Sequence, residues 1–481
     1  MDGNDMPSSH DATFDPGANA PPGSPLRRRA ILSAAGLAGA FALTRFVPAR
    51  EPGVPVRDPS TLVPRAAARS VIDGALDSRL DDLKRKIAST TEGVCEPRIP
   101  ITALPSSAHA QFVITLPGAY YLPGNLTQKS RKVCIDIQSD HVDIDGRGFV
   151  FVGGGRRAAS CIRASGRTGI EIRNCAFKEW RGACCDMADC DDVYLRDVLV
   201  HACSSPPGAG GGAAIRCRDR CGIEDVSISS CSGGRIEMGR SSSCFRIMVA
   251  DVTGGAIRCA DECSIKDCRF VRVGGDVIVT GSGSVIARCE CVAGSGCAFR
   301  CAEECRIESC TVMRRDARAI ECGSRSSIVG NRVVLSWGIA CEAESCCFDN
   351  ELSSCSGGPD GPEGPGGAIV LRGGRSVCRR NSISSSRVGI SVHRGGASCH
   401  VHENIVLDAG GGFGAESGPP GGIVIHEEAA GCVCTCNHVG APPGVDPYSM
   451  GASLHGPIAR AAGGDISFVR AASHPLVNTA T

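Results

Sequence analysis

Aromatic side chains are scarce in this chain: they make up 4% of its 481 residues, with only two Trp and four Tyr. Sugar-binding grooves lean on exposed rings, and Trp180 and Trp337 lie too far apart in sequence to announce one. Net charge is missing too, since 51 Lys and Arg balance 51 Asp and Glu. No electrostatic field therefore points to nucleic acid or to an anionic membrane as a partner. The apolar run from Ala30 to Leu43 is shorter than the roughly 20 residues a spanning helix needs. Paired CxxC knuckles of a structural zinc site are absent, and no cofactor motif is present.

What the chain has is repetition, with 62 Gly and 31 Cys. AIRCADECSIKDCRFVRV from Ala256 has near-duplicates in AIRCRDRCGIEDVSISSC from Ala214 and AFRCAEECRIESCTVMRR from Ala298. Shorter-looking cousins lie between them, so the unit is about 21 residues and alternate units are most alike. Aligned on one position, the units place Ile172, Leu195, Ile223, Phe245, Ile265, Ile286, Ile307 and Ile328 in one apolar column. Five residues further on, Phe177, Val200, Ile228, Ala250, Phe270, Cys291, Val312 and Val333 form another. Earlier in each unit Ile215 with Cys217, Ile257 with Cys259 and Phe299 with Cys301 alternate in the same way. Period-two alternation broken by Gly and Ser reads as short strands joined by tight corners.

Each unit is too small to bury its own apolar edge, so units must stack. The fold class predicted is all-β: a right-handed single-stranded parallel β-helix of about 13 coils from Val133 to Val439. Two outward columns support this registry. Arg216, Glu237, Arg258, Ile278, Arg300 and Glu321 form one, and Arg269, Glu290, Thr311, Arg332 and Glu351 the other. Opposite charges on adjacent strands favour such pairing.

Residues 1–49 end in an export-signal layout, with basic Arg27, Arg28 and Arg29, the apolar run, and small residues to Ala49. The pair Arg28 and Arg29 resembles the twin-arginine type, which predicts a periplasmic, cell-surface or secreted protein that meets a membrane only through that segment, if uncleaved. Residues 50–70 read as a Pro- and Arg-rich linker, and Leu76, Leu80, Leu83 and Ile87 place a short amphipathic helix over 71–90 as a lid or oligomerising element. Residues 95–155 are the lead-in and first coil, 156–441 the repeats, and 442–481 a C-terminal tail or cap. The stretch ITLPGAYYLPGNL, Ile114 to Leu126, and VDIDGRGF, Val142 to Phe149, resemble the opening segment of a family of exported bacterial right-handed β-helix repeat proteins with the pectin-lyase-like fold. The tail from His455 resembles that family's ending. The resemblance implies the fold and export; it brings no activity with it, and the heavy use of Cys departs from it.

An odd number of Cys leaves at least one unpaired within the chain. Cys217, Cys259 and Cys301 fall two coils apart, about 9.6 Å by strand spacing, beyond disulfide reach. An inward ladder of free thiols, a few disulfides such as Cys217 with Cys221, or a metal held by the CxxxC pairs Cys259/Cys263 and Cys301/Cys305 all fit the spacing. The column Asn331 to Asn437 predicts left-handed corners with stacked amides. Three Gly/Pro inserts, from Ser204, Ser356 and Gly410, should emerge along one edge.

Candidate chemistry lies in two clusters. Arg372, His393 and His426 fall in one outward column beside Glu427 and Glu428, a set suited to an anion or to acid–base work on a uronate. Asp186, Asp189, Asp191 and Asp192 offer hard oxygens for Ca²⁺, or simply line a solvated corner. The paired-Asp and Gly-His-Gly signatures of β-helix polygalacturonases are absent, as is the Asp-Pro-His-Asp of alginate epimerases. The sequence therefore favours a non-catalytic structural or binding rod with polysaccharide or cell-surface components as partners. A polysaccharide lyase, hydrolase or epimerase acting on acidic sugars is the alternative, and a redox or metal protein a third reading.

Overall fold

A computed structural model of the chain describes residues 98–128, 131–154, 160–204, 213–356, 366–409, 421–440, 448–450, 454–455, 458–460 and 478–480. Arg28 and Arg29 of the signal, the 50–70 linker, the 71–90 helix, Cys95 and the bodies of the three inserts lie outside the described residues. Among those described, no helix is long and apolar enough to cross a membrane.

The described residues from Arg98 onward form a parallel β-solenoid. One sheet of 15 strands is its first stack, and 13 of these rungs run from Val133–Ile137 to Gly421–Ile425. The other sheet holds 29 strands and contains the second and third stacks, joined because Thr168–Lys178, Asp191–His201 and Gly222–Ser229 run through a corner without a break. A typical coil has one short strand in each stack: Ile257–Cys259, Ser264–Lys266 and Arg269–Val273. Every assigned register is parallel, so each coil repeats the last one rung higher. In the first stack Ile215, Ile236, Ile257, Ile278, Phe299 and Ile320 lie one above another, each at most 1% exposed. Burying such a side chain contributes about 1.5–3 kcal/mol, which no single coil could gain alone. Tail strands Tyr448–Met450 and Asn478–Ala480 continue the same pairing.

Three columns each differ from the sequence expectation by one residue at a single rung. Cys244, not Phe245, stacks between Ile223 and Ile265. Phe245 faces out, with the Arg246 guanidinium 4.0 Å over its ring. Likewise Val249 rather than Ala250 aligns with Ile228 and Phe270, and Val279 rather than Ile278 stands outward between Arg258 and Arg300. At the first of these, hydrophobicity misassigns the position because a thiol fills the bore as well as a ring does. Among the described residues no cysteine is in a disulfide, and all the described cysteines but Cys346 and Cys436 are buried. Cys217, Cys259 and Cys301 alternate with Met238 and Thr280 in one column.

Corners turn on residues in the left-handed region. Asp225, Arg246, Asp267 and Arg288 occupy one corner column with φ of 54°, 54°, 56° and 52°. The Asn column lies one residue later: Gly330, Asp349, Arg380 and Glu403 carry the positive φ, while the asparagines are buried behind them. Left-handed backbone costs about 1–2 kcal/mol per non-Gly residue, and here bidentate ion pairs between coils offset part of it. Leu335, at φ 54° and 47% exposed, has no such compensation. Leu335→Gly should raise stability by about 1 kcal/mol, read as a higher urea midpoint at unchanged slope.

Candidate functional site

The first stack brings Arg372, His393 and His426 into one column, as the sequence predicts. Each follows a strand whose last residues pair, Leu371 with Val392 and Val392 with Ile425. Their amides donate one rung down, to the carbonyls of Cys341, Leu371 and Val392, at 3.0, 2.9 and 2.9 Å. The side chains then part company. Arg372 reaches across two coils to Glu321 at 3.0 Å and also lies 3.6 Å from Glu342. His426 accepts the Glu428 amide on Nδ1 at 3.2 Å, which puts the proton of the neutral ring on Nε2. Glu428 pairs with Arg394 at 3.0 Å, and Glu427 is exposed.

His393 corrects an expectation. It stands at an outward position yet is 5% exposed, because the outward side of this stack is shielded over the later coils, where Ala340, Val370 and Ser391 are also buried. A surface imidazole is thus not what the column presents at this level.

The four aspartates from the first-stack strand Cys185–Met187 to the start of the second-stack strand Asp191–His201 spend their oxygens on neighbours. Asp192 accepts Thr168 Oγ1 at 3.0 Å and two Arg220 nitrogens at 2.9 and 3.0 Å. Asp191 meets Arg218 and Arg220, both at 3.4 Å, while Asp186 and Asp189 accept Ser160 and Ser165 hydroxyls. Among the described residues, no three His, Cys, Asp or Glu side chains converge as a metal site.

A third cluster, which the sequence reading passed over, sits on the outward face of the second stack near its start. Parallel register places Ala119, Asp143, Glu171, Tyr194 and Gly222 in one column and Tyr121, Asp145, Arg173, Arg196 and Glu224 in the next. Arg173 is the hub: it lies 2.8 Å from Asp143, 3.0 Å from Glu171 and 3.7 Å from Asp145. Arg98 pairs with Asp145 as well. Burial pushes the Asp143 carboxyl up, more than the Arg173 guanidinium pulls it down. Burial also acts on Asp145, but the Arg147 amide, Asn174 and the two arginines outweigh it and hold that carboxyl low. One carboxyl raised and its neighbour lowered is a pattern enzymes use; here a shared guanidinium ties both. The available signal was the period-two run VDID aligned with IEIR, hidden because coils of unequal length separate the partners.

No protein-family model matches this sequence, and no curated protein matches it. Among solved structures the chain is similar to the A-module of mannuronan C-5 epimerase AlgE6 of Azotobacter vinelandii, at 10% identity over 71% of this chain and 91% of that one, with a TM-score of 0.36. It is also similar to the catalytic unit of a thermostable GH87 alpha-1,3-glucanase of Streptomyces thermodiastaticus, at 14% identity, 80% and 72% coverage and a TM-score of 0.35. The periplasmic alginate epimerase AlgG gives 10%, 80%, 82% and 0.30. Likenesses at this level carry no argument about chemistry, so the functional reading stands on the chain's own residues.

Proposed function

We propose that this chain is an exported β-solenoid that acts as a non-catalytic structural or binding rod in the periplasm or at the cell surface, with polysaccharide or another cell-surface component as its partner. The observation that carries the reading is how its outward charge is used. Arg246 with Asp225, Arg272 with Asp251, Arg288 with Asp267 and Arg380 with Asp349 form two-pronged pairs between neighbouring coils. Each exposed pair contributes only about 0–1 kcal/mol, but as a series they oppose slippage of one coil on the next. Groups held this way are not poised to move protons.

The alternative, an enzyme acting on acidic sugars, rests on Arg372, His393 and His426 sharing one column. Incubation with alginate, pectate and hyaluronan separates the two readings. The rod produces neither new reducing ends nor unsaturated-product absorbance, and leaves the uronate epimer ratio, read by proton NMR, unchanged. Turnover abolished by His426→Ala would overturn it in favour of the enzyme.

A further inference from the structure

Tyr194 is the single aromatic among the large apolar side chains exposed on the described residues, at 54%. It is not a loose ring. A Cβ at Gly222, its partner one rung above, would lie 2.8 Å from Tyr194 Cδ1 and 3.0 Å from Cε1. The Cδ1–Cε1 edge of the ring is therefore set against Gly222, and more than half of the side chain is open to solvent. One rung below Tyr194 stands Glu171, and two residues along its own strand stands Arg196. Glu171 Oε1 accepts Arg173 at 3.0 Å and lies 3.5 Å from Arg196, which is 48% exposed in its side chain; the long, wet contact leaves Glu171 Oε2 and the Arg196 guanidinium with hydrogen-bonding capacity.

We propose that this face binds a neutral oligosaccharide laid along the solenoid axis, with the C–H face of one pyranose on the Tyr194 ring and its hydroxyls on Glu171 and Arg196. The proposal rests on the reading of the chain as a binding rod. Planar carboxylate and guanidinium groups each match a pair of vicinal hydroxyls, and an exposed aromatic ring takes the apolar side of a sugar. Neutrality of the ligand follows from the charge count: Arg98, Arg147, Arg173 and Arg196 balance Asp143, Asp145, Glu171 and Glu224. Neither an anionic nor a cationic polymer gains from such a surface. Coils rise about 4.8 Å each, close to the advance of one pyranose along a strand, so successive sugars meet successive rungs. Asp143 and Asp145, tied to Arg173 and Arg98, hold the floor and act as positioning residues.

The test is calorimetric titration of the full chain with xylohexaose, cellohexaose and mannohexaose, and with hexagalacturonate as the charged control. At least one neutral hexasaccharide binds and exceeds hexagalacturonate. Tyr194→Ala weakens it at least about tenfold, Tyr194→Phe keeps it, and Gly222→Val, which displaces the ring without removing it, weakens it like Tyr194→Ala. Circular dichroism melts confirm that the variants are folded. Absence of binding by every neutral hexasaccharide overturns the proposal. Undiminished binding by Tyr194→Ala overturns this site and leaves the rod standing; turnover of a bound glycan overturns the rod and leaves the site.

Discussion

Arg315→Met should lower the unfolding free energy by about 3–5 kcal/mol, although the substitution keeps the apolar stem. Arg315 is 3% exposed at the end of a third-stack strand. It makes no ion pair among the described residues; its guanidinium is satisfied by backbone carbonyls. Nε donates to Gly296 at 3.0 Å, Nη1 to Val273 at 2.8 Å and Ala293 at 3.2 Å, and Nη2 to Gly275 and Gly296, both at 2.8 Å, and to Ser295. These carbonyls belong to the two preceding coils, so one side chain fastens three rungs. Gly294 makes room, since a Cβ there would lie 2.5 Å from Nη1. Methionine leaves these carbonyls without their shared donor, the buried Val273 carbonyl foremost, and lysine, a point charge without a fork, recovers less than half. Urea unfolding measures it: a change below about 1 kcal/mol would show that the carbonyls find other donors and that this fastening is not needed.

Asn381→Leu should cost a similar amount, about 3–5 kcal/mol. The buried amide of Asn381 donates to the Cys347 carbonyl at 2.9 Å and to Asn404 Oδ1 at 2.9 Å, and its own Oδ1 accepts the Asn350 backbone and side-chain N–H groups at 3.0 and 2.9 Å. The pattern runs on from Asn331 through Asn404 to Asn437. Leucine leaves partners stranded in two coils at once. Asn381→Cys should be milder, because Cys310 already fills this column and accepts the Cys289 amide on its sulfur at 3.4 Å. Asn381→Asp keeps the acceptor but buries a carboxyl facing the Cys347 carbonyl and Asn404 Oδ1. Its folded pKa must rise above the unfolded value near about 4. Stability is then greatest below that unfolded pKa and falls as pH rises through the folded one. Equal stability of Asn381→Asp at pH 4 and pH 7 would refute the buried-amide account.

Both sites show how legibility divides. The Asn column was readable because its members recur at one place in each repeat, and its structural character followed from residue type. Arg315 was not readable: in sequence it is one more basic residue in VMRRD, and only the closing of the coil points it inward rather than Arg314, which is exposed. Phe245 was misplaced for a related reason, since its size argued for the core while Cys244 held the position. Tyr194 and Gly222 were already in register, each one residue before Leu195 and Ile223 of the same column, but how the ring sits on the glycine was not legible, because alternation within a strand does not fix a side chain's orientation.

The sequence by itself determined the repeat, the strands, the inward columns and therefore the stacking, because an apolar edge repeated every coil has no other place to be buried. Tertiary structure alone decided that Arg315 fastens three rungs, that His393 is covered, and that one tyrosine sets its edge against a glycine. Those outcomes depend on the partner one rung away, whose distance along the chain changes with every insert, whereas burial depends only on the alternation within a strand.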